Sequence, residues 1–310
     1  MKVSINIIIY NGLKYIKPCF DSIFNQSFKD FEVIVVDNNS SDNSVNFIKQ
    51  NYPNIKLIEN KENVGFAKGH NQMIDFNNSE YILITNQDIV LEPDFLEKLV
   101  GFMNNNNEYG SCGGKLLKMR MNENECDGMR NFEIKKTNII DCIGLNHTKG
   151  YRFFNLGEGS VDNNQFNEPR DVFGITGALV LYRRSSLEKI KDSHGYFDER
   201  FFMYKEDIDL AWRFKNNGLK AKYISNAIAY HERGFSGNNN QNLIDKINRK
   251  NNDKDFLSHL SYRNHLLMLN KNLKSFNLYV LIEETGKAFY YFIFKPKIFF
   301  KSWNEFLEMK

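Results

Sequence analysis

The sequence predicts an α/β fold built on a mostly parallel central sheet flanked by helices. Short β-branched runs recur at 3–9, 32–36, 55–58 and 81–85, bounded by turn residues as strands are. Between them the apolar residues fall at helical spacing, first Ile16, Phe20, Ile23 and Phe24 and then Val45, Phe47 and Ile48, so the order reads β-α-β-α-β. Polar segments follow three of the runs: Tyr10-Asn11-Gly12, Asp37-Asn38-Asn39-Ser40-Ser41-Asp42 and Asn86-Gln87-Asp88. In such sheets ligands sit beyond the carboxyl ends of the strands, which makes these segments the candidate site.

Later elements are read in chain order. Residues 104–170, rich in Asn, Gly and charge, predict loops and short strands. Residues 172–182 read as one strand interrupted by Gly174 and Gly177, where the missing side chains would let a ligand approach. A helix is expected from about Lys205 through Phe214, stopping at Gly218. The Asn-rich stretch 237–242 reads as a linker, and beyond it the chain turns helical and aromatic. The division is a catalytic domain at 1–240, with a nucleotide-binding half of about 1–110 and an acceptor half of about 111–240, and a helical, basic and aromatic extension at 241–310.

Composition narrows the class. The 310 residues are 42% hydrophobic and 25% charged, with a net charge of +3, which suits a globular protein and gives no argument for a nucleic-acid partner. The basic excess is local, since residues 241–310 hold 12 Lys and Arg against 7 Asp and Glu. Cys19, Cys112, Cys126 and Cys142 show no zinc-site spacing and read as reduced thiols. Met1-Lys2-Val3 opens no apolar signal segment and no run approaches a membrane span, so the reading is a cytoplasmic protein.

The polar clusters suggest chemistry by residue type. Neither Gly-x-Gly-x-x-Gly after the first strand nor Gly-x-x-x-x-Gly-Lys-Ser/Thr occurs, so dehydrogenase and P-loop readings fall. Asp37 can accept hydrogen bonds from a base N–H or from ribose hydroxyls, or cap the next helix. Asp88 can bind a divalent cation bridging two phosphates, with His231 as a second ligand, a mixed donor set that favours Mn²⁺ somewhat over Mg²⁺. In Glu206-Asp207-Ile208-Asp209, behind the aromatic run 201–204, apolar neighbours would raise a carboxylate's pKa toward that of a general base. On a helix Asp207 and Asp209 lie about 200° apart, so only one of them can serve.

Together these residues resemble the family 2 glycosyltransferases with the GT-A fold, especially the rhamnosyltransferase-like members of bacterial cell-surface polysaccharide synthesis. The resemblance spans roughly 1–235 and adds to the segments above Asn63-Val64-Gly65-Phe66-Ala67-Lys68-Gly69-His70-Asn71, the segment 174–178 and the segment 197–210. It implies an inverting transfer from a nucleoside diphosphate sugar, dTDP-rhamnose or a UDP-sugar, to a lipid-linked or glycan acceptor. Tyr10, Asn11, Asp37, Asn39, Asn63, Gly65, Lys68, Asn71, Asn86 and Gln87 would bind the nucleotide, and Asp88 and His231 the Mn²⁺ or Mg²⁺. Asp207 would deprotonate the acceptor, with Thr176, Gly177, Tyr204, Glu206 and Trp212 on the acceptor side, although Trp212 suits a core position at least as well. Asn86 and Gln87 depart from the family's Asp-x-Asp pattern, which leaves weaker metal dependence open.

Two rival functions remain in view. A sugar-phosphate nucleotidylyltransferase would need a Gly-rich, basic loop after the first strand, which Tyr10-Asn11-Gly12-Leu13 does not supply. A catalytically inactive, glycan-binding or scaffolding relative would explain Asn86. At the C-terminus, Lys287, Lys295, Lys297 and Lys301 interleave with aromatic residues and no acid lies between Glu284 and Glu305. That stretch suits either an anionic membrane surface, and hence peripheral association with the inner face of the cell membrane, or a helix packed on the protein.

Overall fold

The computed structural model describes residues 1–126, 129–232 and 243–310. Its first half is the predicted wind. Strands β1 (Val3–Ile9), β2 (Phe31–Asp37), β3 (Lys56–Glu59) and β4 (Tyr81–Asn86) run parallel in the order β3-β2-β1-β4. Their residues are apolar at nearly every position because helices cover both faces. On one face, α1 (Leu13–Phe24) and α2 (Ser44–Asn51) bring Ile16, Phe20, Ile23 and Ile48 onto Ile5, Ile7, Val33 and Val35. On the other, α3 (Gly65–Asp75) buries Ala67 and Ile74 on Ile82 and Ile84, and Met73 on Ile34 and Val36.

Past β4 come β5 (Ile89–Leu91) and α4 (Phe95–Asn105), and then a region the sequence misleads about. Where loops and short strands were expected, β6 (Tyr109–Cys126) and β7 (Met129–Cys142) form a long antiparallel hairpin. Along β6, Met119 is buried while Arg120 and Asn122 are exposed. A period of two is therefore present, hidden by Asn and charge on the outward face. After a small hairpin of β8 (Leu145–His147) and β9 (Phe153–Asn155), the expected strand at 172–182 is two strands. β10 (Arg170–Val172) pairs with β12 (Lys220–His231), whereas β11 (Leu179–Arg183) lies between β4 and β6. The segment 173–178 crosses between them close against α6: a Cβ on Gly174 would lie 2.4 Å from that of Ala211, and one on Gly177 3.1 Å from that of Asp207.

The remaining elements are α5 (Arg184–Ile190), a 3₁₀ turn (Glu199–Phe201), α6 (Glu206–Asn216), α7 (Leu243–Asn272), α8 (Leu278–Phe294) and α9 (Pro296–Met309). α6 starts one residue later than predicted, because Lys205 is left-handed with φ +73°. The stretch 237–242 read as a linker lies outside the described residues. Leu266, Leu267 and Met268 of α7 share a core with Phe201, Ile208 and Trp212 and with Val280 and Phe306 of the last two helices. Among the described residues no helix is long and apolar enough to cross a membrane. Cys19, Cys112 and Cys142 are buried thiols.

One buried ionic network ties α6 to α7. Asp209 is fully buried and accepts from Arg213 Nε at 2.8 Å, Asn272 Nδ2 at 2.7 Å and Lys271 Nζ at 3.3 Å. Removing its carboxylate leaves the buried Arg213 without its ion pair. Asp209→Ala is therefore expected to destabilise the fold by about 3–5 kcal/mol, read as a shift of the urea midpoint.

Candidate active site

The crevice opens at the carboxyl ends of β1, β2 and β4, where side chains stitch three loops together. Asn11, itself left-handed at φ +48°, accepts through Oδ1 from the Ser41 N–H at 2.8 Å, and its own N–H donates to Ser40 Oγ at 3.0 Å. Asp42 accepts from Leu13 N–H at 3.1 Å and Ser44 N–H at 3.0 Å, so it holds the first residues of α1 and α2. Gln87 reaches across to Tyr10, accepting from its N–H at 3.1 Å and donating to its carbonyl at 3.3 Å.

Asp37 sits at the centre. It is 3% exposed, and one carboxylate oxygen accepts from Ser40 N–H at 3.0 Å while the other is buried without a partner. A buried acceptor left open is costly unless a ligand fills it. Asn39 beside it is exposed at φ +63°, and Tyr10 is also exposed. Asn63 accepts from the Gly65 N–H at 2.9 Å and Lys68 is exposed on α3. Gly65, at φ +81°, has no room for a Cβ, which would lie 2.5 Å from the Phe202 carbonyl oxygen. Asn71 corrects the reading from sequence: its amide faces inward, donating to Phe197 O at 2.8 Å and accepting from Phe197 N–H at 3.0 Å. It braces the chain before α6 and has no free amide for a nucleotide.

The two residues nominated for a metal do meet, although 143 positions separate them in the chain. His231 Nε2 is 3.3 Å from Asp88 Oδ1, because β12 pairs with β5 just after Asp88. A third residue, the acid Asp141 on β7, was missed: His231 Nδ1 lies 2.8 Å from its Oδ2. Burial alone would push the imidazole pKa down, but hydrogen bonds to Asp141 and Asp88 raise it to about 9. An imidazole held from behind by a buried carboxylate, with a second carboxylate at its free nitrogen, is a donor set that fits a divalent cation. Among the described residues no group of three or more His, Cys, Asp or Glu could hold an ion by itself. Further ligands must then come from substrate phosphates or water. Lys118, Arg120 and Glu232 line a cavity of about 460 Å³ beside His231.

On the opposite side stands the acidic start of α6. Asp207 accepts from the Gly177 N–H at 2.9 Å and from the Ile208 N–H at 2.8 Å, and burial raises its pKa. Glu206 is buried with one carboxylate oxygen unpartnered, and desolvation together with the Asp207 charge raises its pKa to about 8. The two carboxylates titrate as a pair, both raised by burial, at a helix N-terminus whose dipole favours negative charge. Asp209 points away into its ionic network, so the two aspartates divide as the helical geometry required. Thr176 adjoins Gly177, and Tyr204 is exposed on the loop before the helix. Trp212 is corrected: it is 4% exposed and stacked on Tyr151 at 4.2 Å, a core residue closed to an acceptor.

The loop before Asp207 is held by a residue the sequence did not single out. Phe202, Tyr204 and Lys205 are all left-handed, at φ +61°, +71° and +73°, and such strain persists only where the surroundings impose it. Asn264 of α7, fully buried, donates to the carbonyls of Phe201, Met203 and Tyr204 at 2.8, 2.9 and 2.8 Å. From α3, the Phe66 N–H donates to the Phe202 carbonyl at 2.6 Å. The C-terminal helices thus shape the site directly.

The family model for glycosyl transferase family 2 matches residues 4–191. The chain belongs to this family of glycosyltransferases. A protein of Bacillus subtilis (strain 168) bearing the glycosyltransferase name EpsE is 33% identical over 234 residues, 73% of this chain and 71% of the relative. The N-acetylglucosaminyl-diphospho-decaprenol L-rhamnosyltransferase of Mycobacterium tuberculosis is 24% identical over 242 residues, 74% of this chain and 75% of its own. Among solved structures, GalNAc-T7 with UDP, GalNAc and Mn²⁺ superimposes with a TM-score of 0.58 at 12% identity, over 78% of this chain and 45% of that one. This glycosyltransferase therefore has the expected GT-A fold.

Proposed function

We propose that this glycosyltransferase inverts the anomeric carbon of a sugar as it moves it from a nucleoside diphosphate, dTDP-rhamnose or a UDP-sugar, to a lipid-linked or glycan acceptor. The observation that carries this reading is the placement of Asp207: a carboxylate with a raised pKa, fixed by the Gly177 N–H in a crevice whose other end presents Asp37 and Asp88. In this scheme the open oxygen of Asp37 takes a base N–H or a ribose hydroxyl. Asp207 accepts the proton of the acceptor hydroxyl while that oxygen bonds to the anomeric carbon and the bond to the diphosphate breaks. Asp88 and His231 would hold Mn²⁺ or Mg²⁺, which when bound neutralises charge on the departing diphosphate.

The acceptor class is supported by the diphospho-decaprenol named for the mycobacterial relative, and a nucleotide with Mn²⁺ by the ligands of GalNAc-T7. We assign the catalytic domain to 1–240, nucleotide half first, and the extension to 241–310, in an enzyme of the cytoplasm working at the inner face of the membrane. An inactive, glycan-binding relative is the one alternative with an observation behind it, Asn86 in the position of an acid.

Calorimetric titration with dTDP, UDP, GDP and CMP, in Mn²⁺ and again in EDTA, tests the donor side. The expected result is binding of dTDP or UDP that weakens in EDTA. Binding indifferent to EDTA would remove the metal from the scheme, and no binding of any nucleotide would favour the inactive relative.

A further inference from the structure

α8 is folded inside out. Its exposed half carries Leu281, Ile282, Phe289, Tyr290, Phe292 and Ile293, each between 48% and 65% accessible. Its charged residues lie on the half facing the protein: Glu283 accepts from Thr148 Oγ1 at 3.0 Å, while Glu284 meets both His265 Nε2 and Lys287 Nζ at 2.7 Å. At 100° per residue the exposed apolar positions fill about half the helix circumference, with only Thr285 and Gly286 among them. In water such a face is unfavourable, and soluble monomers rarely keep one of this extent.

The charges around the face identify what covers it. No acid occurs from 285 to 304, whereas Lys295, Lys297 and Lys301 follow in that interval. Lys297 is exposed, Lys301 keeps 58% of its side chain accessible, and Lys149 Nζ sits 5.4 Å from the Tyr279 ring at the start of the helix. Aromatic and aliphatic side chains in one plane with ammonium groups at the edge suit the boundary of a bilayer whose headgroups are anionic. We propose that α8, with Phe300 of α9, is a docking surface for an anionic lipid bilayer, lying in the plane of the headgroups.

The docking places the chemistry usefully. His265 of α7 meets Glu284 of α8 at 2.7 Å and its neighbour Asn264 donates to the Tyr204 carbonyl at 2.8 Å, so the docking helix connects through α7 to the loop that leads to the acceptor-activating acid. The surface itself rests on its composition; only its use in presenting a lipid-linked acceptor rests on the transferase reading.

Sedimentation of the full chain with vesicles tests the surface. Truncating the tail is a poor probe, since Ile298, Ser302 and Phe306 of α9 are buried. The exposed pair Phe289→Ser and Ile293→Ser, and the reversal Lys297→Glu with Lys301→Glu, leave that core intact. The wild type is expected to bind phosphatidylglycerol-containing vesicles and to bind pure phosphatidylcholine weakly. The apolar pair should lower the affinity about tenfold or more, and the charge reversal should lower it and flatten its salt dependence. No binding to anionic vesicles, or binding unchanged in the apolar pair, overturns the proposal. So does concentration-dependent dimerisation abolished by the apolar pair without vesicle affinity, because the face would then be an interface between copies. Nucleotide titration of the same variants separates this result from failure of the transferase reading.

Discussion

Replacing Asp207 with asparagine is expected to lower sugar transfer by about a hundredfold to ten-thousandfold, the range for loss of a general base, while nucleotide binding stays unchanged. Asparagine keeps an oxygen to accept the Gly177 N–H, so the local structure should persist and the loss should fall on kcat. The neighbouring acid supplies the control. Burial and the Asp207 charge raise the Glu206 pKa, so Glu206→Gln fixes the neutral form that this shift favours and should keep most of the activity. Burial raises the Asp207 pKa above 3.8, and the base works only ionised, so transfer should rise with pH through a limb lying above the ordinary carboxylate range. Stability should run the opposite way. Glu206 binds its proton more tightly folded than unfolded, so its stabilising contribution is complete below about 4.5 and is lost as pH rises through about 8. Urea midpoints across that window read the effect, and Glu206→Gln should flatten it.

Asp88→Asn is expected to abolish the Mn²⁺-dependent part of nucleotide affinity and to cut transfer by about a hundredfold to a thousandfold, as losing one group that stabilises charge on a leaving oxygen does. Asp141→Asn should act more mildly, weakening Mn²⁺ binding by about ten- to a hundredfold, because Asp141 meets His231 at the nitrogen away from Asp88. Titration of Mn²⁺ in the presence of UDP or dTDP distinguishes the two. Equal effects of both substitutions, or none, would remove Asp88 from the leaving-group end.

What the sequence made legible was local. The first four strands, the polar segments after them and the angular split between Asp207 and Asp209 follow from short-range periodicity, and the structure has them close to where that periodicity puts them. The roles that depend on distant pairing were hidden. Asp141 meets His231 only because β7 pairs with β6 and β6 with β12, and no pattern within β7 signals it. Asn264 lies beyond the residues carrying the resemblance, in the stretch that the sequence marks only as helical and aromatic. Asn71 and Trp212 were misassigned for the same reason: their residue types suit ligands, but helix packing turns Asn71 onto Phe197 and Trp212 onto Tyr151. In 104–170 the outward Asn and Lys residues masked the alternation that builds the long hairpin.

The central claim is that Asp207 activates an acceptor for a single inverting displacement in this crevice. Its most direct test is the anomeric configuration of the product formed from dTDP-rhamnose or a UDP-sugar and a diphospholipid-linked acceptor, followed by NMR for the wild type and Asp207→Asn. The account predicts an inverted anomeric centre in the wild type and almost no product in the variant. A retained configuration, or full transfer by Asp207→Asn, would contradict it.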